Sequence, residues 1–105
     1  REAASRANAV VVAKGFRTVI VEADGRAFIN PTGDAGLASG GSGDVLTGAI
    51  ASFLAQGLPP ERAAMVACWL HGRAGEIGGE DWPAAVPASA LPRLIARAWR
   101  ELEDR

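Results

Sequence analysis

Apolar and polar positions follow two different rhythms along this chain. Before residue 30 the apolar residues come in short blocks, Ala9 to Lys14 (Ala-Val-Val-Val-Ala-Lys), Thr18 to Ala23 and Arg26 to Asn30. Blocks of this length and composition predict strands. The unbroken valine run predicts one that is covered on both faces, as in a parallel sheet. Asp24-Gly25 between the second and third blocks predicts a hairpin turn. Residues 1–8 read as the end of a helix. From Asn30 to Gly43 the period is lost, and five glycines, one proline and small polar residues predict a loop.

After Gly43 the spacing becomes helical. Val45, Leu46, Ala49, Ile50, Phe53 and Leu54 fall on one face at i, i+3, i+4, and Gly57 ends that helix. Pro59-Pro60-Glu61 predicts the start of a second, since proline is tolerated in a first turn and Glu favours the N-terminus. Its buried stripe is Ala64, Ala67, Cys68, His71 and Ala74, with Cys68 a small core residue and His71 a buried, hydrogen-bonded one. Gly78-Gly79 closes it, and Asp81-Trp82-Pro83 lies in a loop. Ser89 is the predicted cap of a third helix with the stripe Leu91, Leu94, Ile95, Ala98 and Leu102. Trp69, Trp82 and Trp99 share no stripe and read as packing or interface residues. Strands first and helices after predict α+β for the chain standing alone, with little material for an independent core.

Composition then removes several classes of function. Among 105 residues, Lys and Arg number 11 and Asp and Glu 12, a net charge of -1. No basic excess points to nucleic acid. No apolar run approaches the ~20 residues of a membrane span. The single Cys68 excludes an internal disulfide and fits a reducing cytoplasm. The chain starts Arg1-Glu2-Ala3-Ala4, with neither Met nor a signal segment, as expected of the middle of a longer protein. Residues 1–105 are therefore expected to form one partial domain.

The candidate chemistry sits where the two rhythms meet. Gly40-Gly41-Ser42-Gly43-Asp44 runs directly into the first helix. Glycines let backbone approach an anion, and unpaired N–H groups at a helix start can hold phosphate oxygens. Gly43 is where that approach and a positive φ are expected. A carboxylate repels phosphate, so Asp44 suits the site only if it takes a proton from a hydroxyl while the glycines steady a phosphoryl group. The expected chemistry is phosphoryl transfer from a nucleotide to a small-molecule hydroxyl.

Three motifs in order carry a resemblance. Asn30, Thr32 and Gly33, then Leu37 and Ala38, then Gly40, Gly41, Gly43, Asp44, Val45, Leu46 and Gly48 match the pattern Asn-x-Thr-Gly, Leu-Ala, Gly-Gly-x-Gly-Asp-Val-Leu-x-Gly. Lys14-Gly15-Phe16-Arg17-Thr18 precedes them and His71-Gly72-Arg73-Ala74-Gly75 follows. Together they resemble the NAD(P)H-hydrate dehydratase branch of the ribokinase-like kinases. The resemblance implies an α/β fold, of which this chain holds the C-terminal portion of a three-layer ribokinase-like domain, late strands plus three helices.

It also implies an activity, removal of water from hydrated NADH or NADPH by phosphorylating the hydrate hydroxyl and expelling phosphate. ADP or ATP would be the donor, with Mg²⁺ bridging its phosphates and no protein metal site. Asp44 would touch the substrate and act as the catalytic base. Gly40, Gly41, Ser42 and Gly43 would form the anion hole. Lys14, Gly15, Phe16, Arg17, Thr18 and Gly43 would contact the adenine nucleotide. The complete domain would be a cytoplasmic homo-oligomer whose partners are small molecules. The family domain is longer, and its N-terminal part supplies most of the dinucleotide pocket. Members often carry an acidic residue where this chain has Ala90. A vitamin-precursor kinase for thiazole or hydroxymethylpyrimidine alcohols shares Gly-x-Gly-Asp, but the Lys-Gly-x-x-Thr and Asn-x-Thr-Gly pair argues against it. A non-catalytic nucleotide-binding remnant is the alternative of another class.

Overall fold

The computed structural model describes residues 10–13, 18–33 and 41–104. Three short strands, β1 (Val11–Ala13), β2 (Val19–Val21) and β3 (Ala27–Ile29), form a sheet in the order β1-β2-β3. Three helices follow, α1 (Ser42–Ala55), α2 (Pro60–Gly78) and α3 (Leu91–Glu103), with a 3₁₀ turn at Ala88–Ala90 leading into the last.

Both strand pairings are antiparallel, with Val12 opposite Ile20 and Ile20 opposite Phe28. The valine run thus pairs antiparallel with β2, not in the parallel manner that such runs suit. Val11 and Val12 are only half-buried, because β1 takes just one strand neighbour among the described residues. Antiparallel neighbours need only a short connection, and β2 and β3 have one. Glu22 N–H donates to the Arg26 carbonyl at 2.8 Å and Gly25 N–H to the Glu22 carbonyl at 3.0 Å, with Gly25 at φ 91°. The turn signal at Asp24-Gly25 was legible, and the loop has three residues, Ala23 to Gly25.

Residues alternate across a sheet, so Val12, Ile20 and Phe28 share a face. Ile20 is 1% exposed and joins Leu46, Ala64, Ala67 and Cys68 in one core cluster, with Val10, Val12, Ala49, Ile50 and Phe53 around it. The helices pack on this face. A second cluster (Ala74, Val86, Ala90, Leu91) and a third (Leu70, Ile77, Ala98) join α2 to α3. The expected α2 stripe of Ala64, Ala67, Cys68, His71 and Ala74 is buried throughout. On the other helices the stripes fade at their ends, where Leu54 and Leu102 are exposed. Trp99 stacks on Phe53 with ring centroids 5.8 Å apart, a packing role that ties α3 to α1.

Two helix boundaries differ from expectation. First, α1 begins at Ser42, so the loop predicted to run to Gly43 is shorter by two residues. Second, Ser89 lies exposed in the 3₁₀ turn and does not cap α3, whose N-cap is Ala90 without a side-chain hydrogen bond. The 3₁₀ turn feeds α3 through its own carbonyl, since the N–H of Leu91, the first residue of α3, donates to the Ala88 carbonyl. Ala90 is 1% exposed, wedged against Ala74 and Leu91. An acidic side chain there would have to be buried.

The end of α2 is as expected, with Gly78 its last residue and Gly79 its C-cap. A Cβ on Gly78 would come within 2.7 Å of a Leu94 methyl and 2.9 Å of a Val86 methyl. The helix end is small because α3 and the 82–87 segment pack against it. Gly57 likewise terminates α1 as expected. It takes φ 95°, Leu58 N–H reaches the Phe53 carbonyl at 3.2 Å and Gly57 N–H the Leu54 carbonyl at 3.0 Å. That is the Schellman pattern.

Candidate active site

The start of α1 carries the candidate chemistry. Gly41 is its N-cap at φ 87° and ψ -11°, a left-handed conformation that favours glycine. A Cβ on Gly41 would also lie 3.1 Å from the Ala88 Cβ. The positive φ predicted for Gly43 thus belongs to Gly41, and Gly43 is helical. Among the described residues no side chain caps this helix start. Asp44 is the third helical residue and is exposed. Capping, the ordinary use of an aspartate near a helix N-terminus, is not its role. Its charge is favourable there, since the helix N-terminus carries partial positive charge. Amides of a first turn have no carbonyl one turn back inside their own helix, so they face outward with the glycine backbone. Thr47 Oγ1 donates to the Gly43 carbonyl at 3.0 Å, one turn further along.

Beneath this helix start lies His71. It is 5% exposed, and its Nε2 is 3.0 Å from the Ser42 carbonyl oxygen and 3.5 Å from Ser42 Oγ. A carbonyl can only accept, so Nε2 carries the proton of this bond. Ser42 is itself 2% exposed. Its side chain therefore faces inward and forms part of the support under the turn.

The Asn-x-Thr-Gly segment docks on the same helix as His71. Asn30 Nδ2 donates to the Cys68 carbonyl at 3.0 Å, and Thr32 Oγ1 to the Trp69 carbonyl at 2.9 Å. Gly33 N–H donates to Glu76 Oε2 at 3.0 Å. The fit depends on Gly72. A Cβ there would collide with the Thr32 hydroxyl and lie 2.7 Å from both its carbonyl carbon and its carbonyl oxygen. Arg73 bridges Glu76 and Glu101, with Nη1 3.1 Å from Glu76 Oε1 and Nε 2.9 Å from Glu101 Oε2. Those carboxylates raise the Arg73 pKa, the Glu101 hydrogen bond most.

Of the residues expected in the site, Gly41, Ser42, Gly43 and Asp44 are together on one turn. Thr18 stands at the head of β2, where its carbonyl accepts the Asn30 N–H at 2.9 Å. Lys14, Gly15, Phe16, Arg17 and Gly40 lie outside the described residues. The roles of Asn30, Thr32 and Glu76 were not read from the sequence. The Asn-x-Thr-Gly motif was visible, but nothing local reveals that its side chains grip a helix more than 35 residues away. Among the described residues no group of three or more His, Cys, Asp or Glu side chains could hold a metal ion, and no helix is long and apolar enough to cross a membrane.

A glycine-capped helix start bearing an exposed aspartate lies beside a small antiparallel sheet, a mixed α/β arrangement. Comparison with known proteins makes this specific. The sequence profile of the NAD(P)H-hydrate dehydratase family matches residues 1–97, and the chain belongs to that family. It is 45% identical over 97 residues to the ADP-dependent (S)-NAD(P)H-hydrate dehydratase of Neisseria meningitidis, covering 92% of this chain and 32% of that protein. With the bifunctional NAD(P)H-hydrate repair enzyme of Moorella thermoacetica it shares 46% over 97 residues, covering 91% of this chain and 18% of that one. The crystal structure of the ADP/ATP-dependent NAD(P)H-hydrate dehydratase from Bacillus subtilis, co-crystallized with ATP/Mg²⁺, superposes with a TM-score of 0.88 at 38% identity. That match covers 95% of this chain and 36% of the other. The fold is therefore ribokinase-like, and the chain spans less than two-fifths of the length of these relatives.

Proposed function

We propose that this chain carries the phosphoryl-transfer end of an ADP-dependent NAD(P)H-hydrate dehydratase. The observation that carries the reading is the α1 start, where Asp44 is exposed in the first turn and spared from capping behind a left-handed glycine. The relatives' names supply the substrates, hydrated NADH or NADPH and ADP. No observation favours a vitamin-precursor kinase.

The proposed steps are these. The Asp44 carboxylate accepts the proton of the hydrate hydroxyl as that oxygen attacks the terminal phosphoryl group of the nucleotide. The Gly41–Gly43 backbone and the first-turn amides hold the phosphoryl oxygens as charge builds on them. The nucleotide leaves one phosphate shorter. Loss of the new phosphate ester together with a neighbouring ring proton re-forms the ring double bond. Lys14 to Thr18 and Gly43 are proposed to hold the adenine nucleotide, and Gly40 to complete the anion hole.

Mg²⁺ fits this donor set in a limited way. Asp44 is the one carboxylate on the helix start, so phosphate oxygens and water would supply most of the ion's ligands. When bound it would neutralise phosphate charge. The reading also includes a cytoplasmic location and self-assembly of the complete domain.

Asp44→Asn in the full-length protein tests the reading. An amide cannot accept the proton, so turnover of hydrated NADH should fall about 10²- to 10⁴-fold. Calorimetric titration should show ADP binding retained. Turnover within about threefold of the parent, roughly 0.6 kcal/mol in barrier, would remove Asp44 from the chemistry.

A further inference from the structure

We propose that His71 and Glu76 are positioning residues, and that α2 uses them to clamp both ends of the glycine loop and so aim Asp44. The proposal rests on the reading of Asp44 as the base. The chain leaves the sheet at Asn30 and is tied to α2 three times, at the Cys68 carbonyl, the Trp69 carbonyl and the Glu76 carboxylate. It returns at Ser42, whose carbonyl is held by His71 Nε2. All four anchors belong to residues 68–76, a stretch of α2 about 12 Å long at 1.5 Å per residue. The loop thus departs from and comes back to one rigid rod.

This arrangement has a chemical use. Ser42 is the first residue of α1 and Asp44 the third, so the His71 bond sets the height and tilt of the turn that carries the carboxylate. Glu76 does the same for the departing end, and Arg73 holds Glu76 in place by bridging it to Glu101. A base must meet its proton within hydrogen-bond reach, and a displacement of 1 Å costs about 10²-fold in rate. A nucleotide held by backbone amides over a broader surface tolerates the same displacement better. Loosening either anchor should therefore lower kcat more than it raises the KM for ADP.

The experiment uses the full-length protein and pairs each disruptive variant with a conservative one. His71→Phe keeps the bulk and loses the donor, whereas His71→Gln keeps an amide donor near the Nε2 position. Glu76→Ala loses the acceptor for Gly33 N–H, and Glu76→Gln keeps it. Turnover of hydrated NADH with ADP is measured alongside amide hydrogen exchange of residues 42–46 and thermal unfolding.

The clamp predicts that His71→Phe and Glu76→Ala each lose about 10-fold or more in kcat, with ADP KM within about threefold. Exchange at 42–46 should accelerate locally, and Gln at either position should restore both readouts. Glu76 is half-exposed, so its variants fold and decide the matter if His71→Phe does not. Folded variants with unchanged kcat and unchanged exchange at 42–46 would overturn the proposal. So would faster exchange across the whole protein that Gln does not correct. If the parent turns over no hydrated NADH, the functional reading fails, and local exchange at 42–46 still decides whether the clamp exists.

Discussion

Replacing Gly72 by alanine sets two effects of opposite sign against each other. Inside a helix, alanine is favoured over glycine by about 1 kcal/mol. At Gly72, however, the new methyl would lie 2.7 Å from the carbonyl carbon and oxygen of Thr32. Backbone cannot rotate away as a flexible side chain can, so relief has two routes. If the loop stays, overpacking costs about 1–3 kcal/mol. If it moves outward, the bonds from Thr32 Oγ1 to Trp69 and from Asn30 Nδ2 to Cys68 are lost. At about 1 kcal/mol each, that route costs about 2 kcal/mol. Set against the propensity gain, overpacking leaves a net loss of up to about 2 kcal/mol and the outward route one of about 1 kcal/mol, so the variant should be less stable by about 1 kcal/mol.

Gly48→Ala is the matched control. Gly48 is also inside a helix, and a Cβ there meets nothing within 4 Å. It should gain up to about 1 kcal/mol. Urea unfolding followed by tryptophan fluorescence reads both, and the two midpoints should move in opposite directions. A Gly72→Ala protein as stable as its parent would refute the claim that the Asn-x-Thr-Gly segment lies hard against α2.

Three further outcomes are expected. Gly41→Ala should cost about 1–2 kcal/mol, because φ 87° is strained for any Cβ and Ala88 stands 3.1 Å away; unchanged unfolding would place the left-handed residue elsewhere. Asp24 has its pKa lowered below 3.8, first by the hydrogen bond from the Arg26 backbone N–H, against a partly opposing desolvation. It adds stability that is complete above its unfolded pKa and lost as pH falls through the folded one, so Asp24→Asn should flatten acid unfolding below about pH 4 and an unaltered profile would discount the contact. Ile29→Lys should reduce self-association in light scattering, because Ile29 is 65% exposed on β3; scattering equal to the parent's would show that this face is not where copies meet.

Much of this molecule was readable before its structure. Helical spacing located the three described helices, since their apolar faces are long enough to show a period. The loop motif and its aspartate were legible because glycine spacing is itself a backbone signal. Strand direction was not, since a three-residue valine strand looks the same whichever way its neighbour runs. Ser89 misled because a 3₁₀ turn lies between it and α3, and no side chain announces such a turn. The inward turn of Ser42 depends on His71, 29 residues later. Such pairings are decided by tertiary packing, which leaves no local trace.

Those separations bear on the order in which the molecule assembles. The hairpin at Ala23–Gly25 and the turns of each helix close between near neighbours and form early at little entropic cost. The bonds around the active turn span 38, 37, 43 and 29 residues. Each can close only after α2 exists and the intervening chain has been drawn in, which carries the loop-closure penalty. An ensemble with hairpin and helices present but α2 undocked would show much of the secondary structure and hold no nucleotide. On the proposed function, competence to bind phosphate is thus the last property the chain acquires, and a nucleotide-binding signal would report complete folding where helix content does not.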